Sequence, residues 1–229
     1  VGSLSVSSIN RRSVFAMRCV GGDHAELATF CAMMDLPPPV QEKSVNIINK
    51  KTILKACTTV QKASCKKAAQ TEHKLAQGEE GDPCRDVDVS SDGTWMTPGH
   101  SSMIGLVTTV GCTTGKVLDV EVKSKSCKSC DYWSKQDKTS DAFRQWELTH
   151  VCNVTHEGSS GSMEAEATKT IFERSVNDHK LRYTRFIGDG DTNTYKKVAD
   201  AKVYGDAHPV EKIECVGHVH KRMGTRLRN

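Results

Sequence analysis

LRYTRFIGDGDTNTY, Leu181 to Tyr195, is the stretch on which the reading of this chain turns. Leu181, Tyr183, Arg185 and Ile187 alternate with Arg182, Thr184 and Phe186, the two-residue period of a strand with one buried face. The strand runs into Asp189 and Asp191, which are flanked by Gly188 and Gly190. Glycine lets the backbone turn sharply and leaves both carboxylates unshielded, which suits a hard divalent cation with oxygen ligands. Two plainer readings compete. Asp-Gly pairs build turns, and Asp189-x-Asp191-x-Asn193-x-Tyr195 imitates the opening of a calcium loop. That loop would lack its glycine at the sixth position, carry Asp200 in place of glutamate at the twelfth, and follow a strand rather than a helix.

Working upstream, Arg85 to Trp95 sets Val87 and Val89 against Asp88, Ser90 and Asp92, and Met103 to Val110 is apolar on both faces, as in a buried strand. A turn, Gly111 to Gly115, returns the chain into Lys116 to Lys123, where Leu118, Val120 and Val122 alternate with Asp119 and Glu121. This predicts a three-stranded meander with an amphipathic edge strand. Ser162 then caps a helix with Glu164 and Glu166 in its first turn, burying Met163, Ala167, Ile171 and Phe172. A right-handed crossover that sets the fourth strand beside the first makes that pair parallel, so Asp92 and Asp189 share one edge of the sheet.

Two carboxylates at adjacent strand ends are what a two-metal phosphoryl-transfer site needs: ions roughly 3.5–4 Å apart clamp the attacking and leaving oxygens. Asp92 and Asp189 therefore read as bridging ligands for Mg or Mn. Asp191 is a further candidate ligand, with a competing place near the N-cap of a helix at Thr194 to Tyr204, and Asp88 reads as a supporting residue.

Residues 1–81 read as a helical N-terminal segment and 82–229 as the core domain. His24 to Met34 carries apolar residues at 27, 30, 31 and 34 and stops at Leu36-Pro-Pro-Pro39. Val40 to Gln77 is lysine-rich and helical, with a stripe of Ile53, Leu54, Cys57, Val60, Ala63 and Ala68 that ends at the acidic run after Gly78. Its lysines form either a solvated face or a DNA-contacting layer. The 229 residues are 37% hydrophobic, which is globular, and the net charge of +4 admits a nucleic-acid partner without requiring one. No signal peptide is expected from the residues from Val1 onward, and with no apolar run of about 18 residues, no membrane helix is expected.

The ten cysteines are too scattered for a small secreted scaffold and favour a reducing compartment, against the hint of a glycosylation sequon at Asn153. An insertion at about 124–160 contains Cys127-x2-Cys130-x21-Cys152-x3-His156, with His150 as a substitute ligand, a spacing that fits tetrahedral zinc. Cys215-Val-Gly-His218 puts Cys and His three apart on a helix opening at Pro209, which alone reads as packing.

Longer blocks carry more. SSDGTWMTPGHSSMIG at 90–105, GKVLDVEVKSKSCKSC at 115–130, HVCNVTHEGSSGSME at 150–164, RYTRFIGDGDTNTY at 182–195 and ECVGHVHKRMGTRLR at 214–228, with FAMRCVGGDHAELATFCAMMDLPPPV at 15–40, resemble the Mutator-like transposase domain over almost the whole chain. The resemblance implies an α/β, ribonuclease-H-like mixed sheet preceded by helices, with three antiparallel strands, a helix and a fourth strand parallel to the first. It also implies metal-dependent DNA cleavage and strand transfer at transposon ends, in the nucleus and with a homo-oligomer in prospect. By position Asp92 resembles the first catalytic aspartate and Asp189 the second, while Cys215 and His218 look like the family's Cys-x-x-His motif. The family's glutamate belongs beyond that motif, where no acidic residue follows Glu214, so a fragment or decayed copy is expected. Glu164 could approach the metals as a helix-borne glutamate does in ribonuclease H. Lys221, Arg222, Arg226 and Arg228 are candidate phosphate contacts. The rival expectations are a non-catalytic DNA-binding or interaction protein derived from a transposable element, and a metal-dependent nuclease unrelated to transposition.

Overall fold

The computed structural model describes residues 7–78, 81–97, 101–188, 192–214 and 223. It divides into two compact units, Val1–Ser64 and Cys65–Asn229. The division falls inside the lysine-rich helix, upstream of the 81/82 boundary, because that helix buries Cys65, Ala68, Ala69 and Glu72, and the two alanines belong to the core of the second unit.

The first unit holds α1 (Ser8–Cys19), α2 (His24–Met33), α3 (Glu42–Ile48), a π-helical turn (Asn49–Ile53) and the start of α4 (Leu54–Leu75). Asp23 and Glu26 form a reciprocal capping box at the start of α2. Val14, Val45 and Ile48 make the small core, with Val40 and Ile53 packed against it. The apolar stripe expected along α4 is buried only in part: Ala68 is in the core and Ile53 packs on the small one, but Leu54 and Val60 are 61% and 68% exposed, and the other buried positions are 65, 69 and 72.

The second unit is built on a sheet of β1 (Arg85–Trp95), β2 (Ile104–Gly111), β3 (Val117–Ser124), β4 (Leu181–Gly188) and β5 (Glu211–Glu214), in the order β3-β2-β1-β4-β5. β1, β2 and β3 are antiparallel neighbours, and β4 lies parallel to β1 as expected. The fifth strand corrects the reading of a helix from Pro209: Glu211–Glu214 pairs in parallel with Arg185–Gly188. Four residues at a sheet edge give too short a pattern to distinguish from a helix start. The long helix α7 (Ser160–His179) and the shorter α8 (Thr192–Asp200) pack together. α7 begins at its N-cap Ser159 rather than Ser162, and it buries Met163, Ala167, Ile171 and Phe172 as expected, with Ala165, Thr168 and Ser175 besides. Phe172 meets the rings of Tyr183 and Phe186 edge-on, at centroid distances of 5.2 and 5.8 Å.

Two bulges change which residues face α7. In β4 the partners run Val87↔Tyr183 and then Asp88↔Arg185, so Thr184 is an extra residue. Beyond it Phe186 turns inward and Arg185 outward, where its guanidinium pairs with Asp88. In β3, Val110↔Val117 is followed by Thr109↔Asp119, so Leu118 is extra. Leu118 and Asp119 are both buried while Val122 is 49% exposed. Arg174 of α7 accounts for the inversion: it donates to both carboxylate oxygens of Asp119 (2.7 and 2.8 Å) and to Glu121 (2.6 Å). β2 is also not buried on both faces; Gly105, Val107, Thr109 and Gly111 are buried and the residues between them are half-exposed.

Candidate metal centre

The chain leaves β3 at Ser124 and returns beside it. Between them lie α5 (Lys128–Trp133) and α6 (Asp141–Thr149), the latter capped by the Ser140 hydroxyl, which accepts from the Phe143 N–H. The base of the excursion is closed by Ser124: its carbonyl accepts the N–H groups of Thr155 and His156 (2.8 and 3.1 Å), and its own N–H donates to Thr155 Oγ1 (2.9 Å). Of residues 125–155 only Cys127 is buried. An excursion with so little apolar burial needs another fastening.

Four side chains are placed to hold a metal ion that would supply it. Cys127, Cys130, His150 and Cys152 bring one ligand atom each to within 4.8 Å of the others. His150 Nε2 lies 3.5 Å from Cys127 Sγ and 3.2 Å from Cys130 Sγ, and the sulfurs of Cys130 and Cys152 are 3.6 Å apart. A tetrahedron with Zn–S of about 2.3 Å and Zn–N of about 2.0 Å has S···S edges near 3.8 Å and S···N edges near 3.5 Å. These three separations fall close to the edges a zinc ion imposes, and all four donor atoms lie within 4.8 Å of one another. Backbone N–H groups of Asn153 and Cys130 hold the Cys127 thiol down at about 6, while desolvation next to the sulfurs of Cys152 and Cys127 pushes Cys130 up to about 12. One thiolate forms readily and its neighbour resists a second negative charge, a conflict that a divalent cation resolves.

The ligand set corrects the sequence reading in one member. His156 is not in the cluster; it is buried, with Nε2 at 3.0 Å from Ser162 Oγ and 3.2 Å from the Ser159 carbonyl. His150, the substitute, takes its place. An aromatic stack orients it: the His150 ring lies 4.7 Å from Trp146, which stacks on Trp133 at 5.5 Å and donates from Nε1 to Ser129 Oγ (2.8 Å). This stack escaped the sequence reading, although two tryptophans so close to the ligands in a chain with three are a compositional signal.

The carboxylate candidates fare differently. Asp92 stands near the C-terminal end of β1, exposed, opposite Thr108 and on the face away from α7. Asp88 is engaged by Arg185. Glu164 lies on the α7 side against Gly93, where an added Cβ would come within 2.8 Å of its Oε2. Asp189, Asp191, Cys215, His218, Lys221, Arg222, Arg226 and Arg228 lie outside the described residues. No helix among the described residues is long and apolar enough to cross a membrane.

Taken together, the second unit is an α/β domain with a ribonuclease-H-like mixed sheet and a cluster suited to a metal ion in the excursion after its third strand. The family model for Mutator-like transposase matches residues 4–229, nearly the whole chain. The chain belongs to the Mutator-like transposase family. No curated protein and no solved structure matches it.

Proposed function

We propose that this chain binds DNA as a member of its family, with zinc held by Cys127, Cys130, His150 and Cys152 as the fastening of its inserted module. The observation that supports this best is the four-ligand cluster itself, Cys127, Cys130, His150 and Cys152, whose ligand atoms all lie within 4.8 Å of one another. The zinc is structural in this reading: four protein ligands leave it no open position for a substrate. Lys221, Arg222, Arg226 and Arg228 supply phosphate contacts, and the partner is duplex DNA at transposon ends, met in the nucleus by a homo-oligomer. Each neutralised phosphate contributes about 0.9 to the slope of log affinity against log salt. Replacing all four basic residues with glutamine is expected to flatten that slope by up to about 4. Binding that does not weaken from low to moderate salt would refute phosphate contact.

A second reading, metal-dependent strand cleavage and transfer, is favoured by the parallel pairing of β1 with β4, where Ser90 lies opposite Ile187 and both strands point their C-terminal ends the same way. Asp189 follows directly on the last residue of β4. Here Asp92 and Asp189 would bridge two Mg or Mn ions, with Asp191 as a further ligand. The ions would lower the pKa of a bound water or 3′-hydroxyl and neutralise charge on the phosphodiester. Mg-dependent nicking abolished by both Asp92→Asn and Asp189→Asn supports it, and joining of the cut end to target DNA separates a transposase from a plain nuclease. Nicking that survives either substitution refutes the assignment.

A further inference from the structure

Excluded from the metal cluster, His156 has a different task. We propose that His156 is a positioning residue that couples occupancy of the metal cluster to β1 at Gly93, by fixing the first turn of α7. The proposal rests on reading the cluster as a metal centre.

The connection can be followed residue by residue. Cys152 is the last cluster ligand, and three residues on, Thr155 and His156 are clipped to the Ser124 carbonyl at the end of β3. The buried His156 ring then reaches forward to the start of α7. With Nε2 protonated it donates to the Ser159 carbonyl (3.2 Å), which also accepts the Ser162 hydroxyl (2.8 Å). Ser159 is the N-cap of α7, its hydroxyl accepting the Ser162 N–H at 3.2 Å. His156 therefore holds the cap residue by its carbonyl while the cap holds the helix. Gly158 makes the approach possible: it has φ +128°, and a Cβ there would stand 3.1 Å from Ser162 Oγ and 3.4 Å from His156 Nε2.

The first turn of α7 is also tied to the sheet. Ser160 Oγ donates to the Ser102 carbonyl at 2.9 Å, just ahead of β2. Two residues beyond Ser162, the Glu164 carboxylate packs against Gly93, the neighbour of Asp92 on β1, in space that only a glycine leaves open. Cluster, Ser124 clip, His156, N-cap and Glu164 thus form one continuous series of contacts. Because residues 125–155 bury so little of their own, loss of the metal frees Cys152 and the clip behind it, and the His156 ring loses the anchor from which it holds Ser159.

The test is hydrogen exchange on the full chain, zinc-loaded and chelated, in wild type, His156→Ala and His156→Gln, with zinc content measured on each. Removing zinc is expected to speed exchange of amides 159–164 by about five- to thirtyfold, the scale of losing an N-cap, while β4 amides keep their protection. His156→Ala is expected to retain its zinc yet exchange at 159–164 as the zinc-free wild type does. His156→Gln, whose amide nitrogen can take the place of Nε2, restores protection. A wild type that holds one zinc per chain before chelation and shows unchanged exchange at 159–164 after it, or wild-type exchange in His156→Ala, overturns the coupling alone. Zinc well below one per chain overturns the metal-centre reading and the coupling with it.

Discussion

Cys130→Ser is the most informative single change. Cys130 touches two other members of the cluster, with Sγ at 3.2 Å from His150 Nε2 and 3.6 Å from Cys152 Sγ. Structural zinc contributes about 10–16 kcal/mol in small zinc-folded peptides, so one of four comparable ligands carries about 3 kcal/mol, or somewhat over two orders of magnitude in affinity. Serine keeps the volume and leaves the aromatic stack in place, so the loss reports ligation rather than packing. A chromophoric chelator in competition with the protein measures the affinity. Tryptophan emission gives an independent reading, because Trp133 and Trp146 belong to the inserted module and Trp95 to β1. The emission of wild type should shift to the red when zinc is withdrawn, and Cys130→Ser should show that shift at a zinc activity about a hundredfold higher than wild type needs. Equal zinc affinity in the two proteins, or emission indifferent to zinc, would refute the reasoning.

Other outcomes follow from the same geometry. His150→Ala should lose zinc affinity by at least as much as Cys130→Ser, whereas His156→Ala should keep it, measured by metal content after dialysis. Gly105→Ala would set a Cβ 2.2 Å from Cζ3 of Trp95 and should cost about 1–3 kcal/mol in urea unfolding, since a ring packed on the strand has little room to retreat. Arg174→Ala strands the buried Asp119 and half-buried Glu121; after discounting for the 30% exposure of the Arg174 side chain, about 2 kcal/mol of stability should be lost. His179 is driven below its ordinary pKa by burial, against the pull of Asp119 and Asp178 and together with Arg174. The unfolded chain takes up this proton near pH 6.5 and the folded chain only lower, so stability present above about 6.5 should fall as pH drops through that value. His179→Gln should flatten that dependence in urea titrations from pH 7.5 to 5.5.

The sequence locates β1 to β4 to within a residue, because β1, β3 and β4 alternate apolar and polar positions and β2 is a short apolar run closed by the turn at Gly111. It does not give their facing beyond the bulges. An extra residue at Thr184 or Leu118 leaves the pattern intact locally and inverts it afterwards, which is why Phe186 rather than Ile187 joins the core and why Asp119 is buried. β5 is invisible because four residues carry too little period. The metal cluster was legible in its three cysteines, whose spacing constrains them. The choice between His150 and His156 was not: both are close enough in sequence to reach, and the decision is made by the Trp146 stack on one side and by the serine-rich cap of α7 on the other. The carboxylate pair rests on a parallel β1–β4 edge that the sequence order anticipated through the handedness of crossovers.

X-ray absorption at the zinc edge, on tag-free protein purified without added metal, reads the ligands of the Cys127, Cys130, His150 and Cys152 cluster directly. The expected result is about one zinc per chain with three sulfurs near 2.3 Å and one nitrogen near 2.0 Å. Substoichiometric zinc, or a first shell of oxygen, would contradict it.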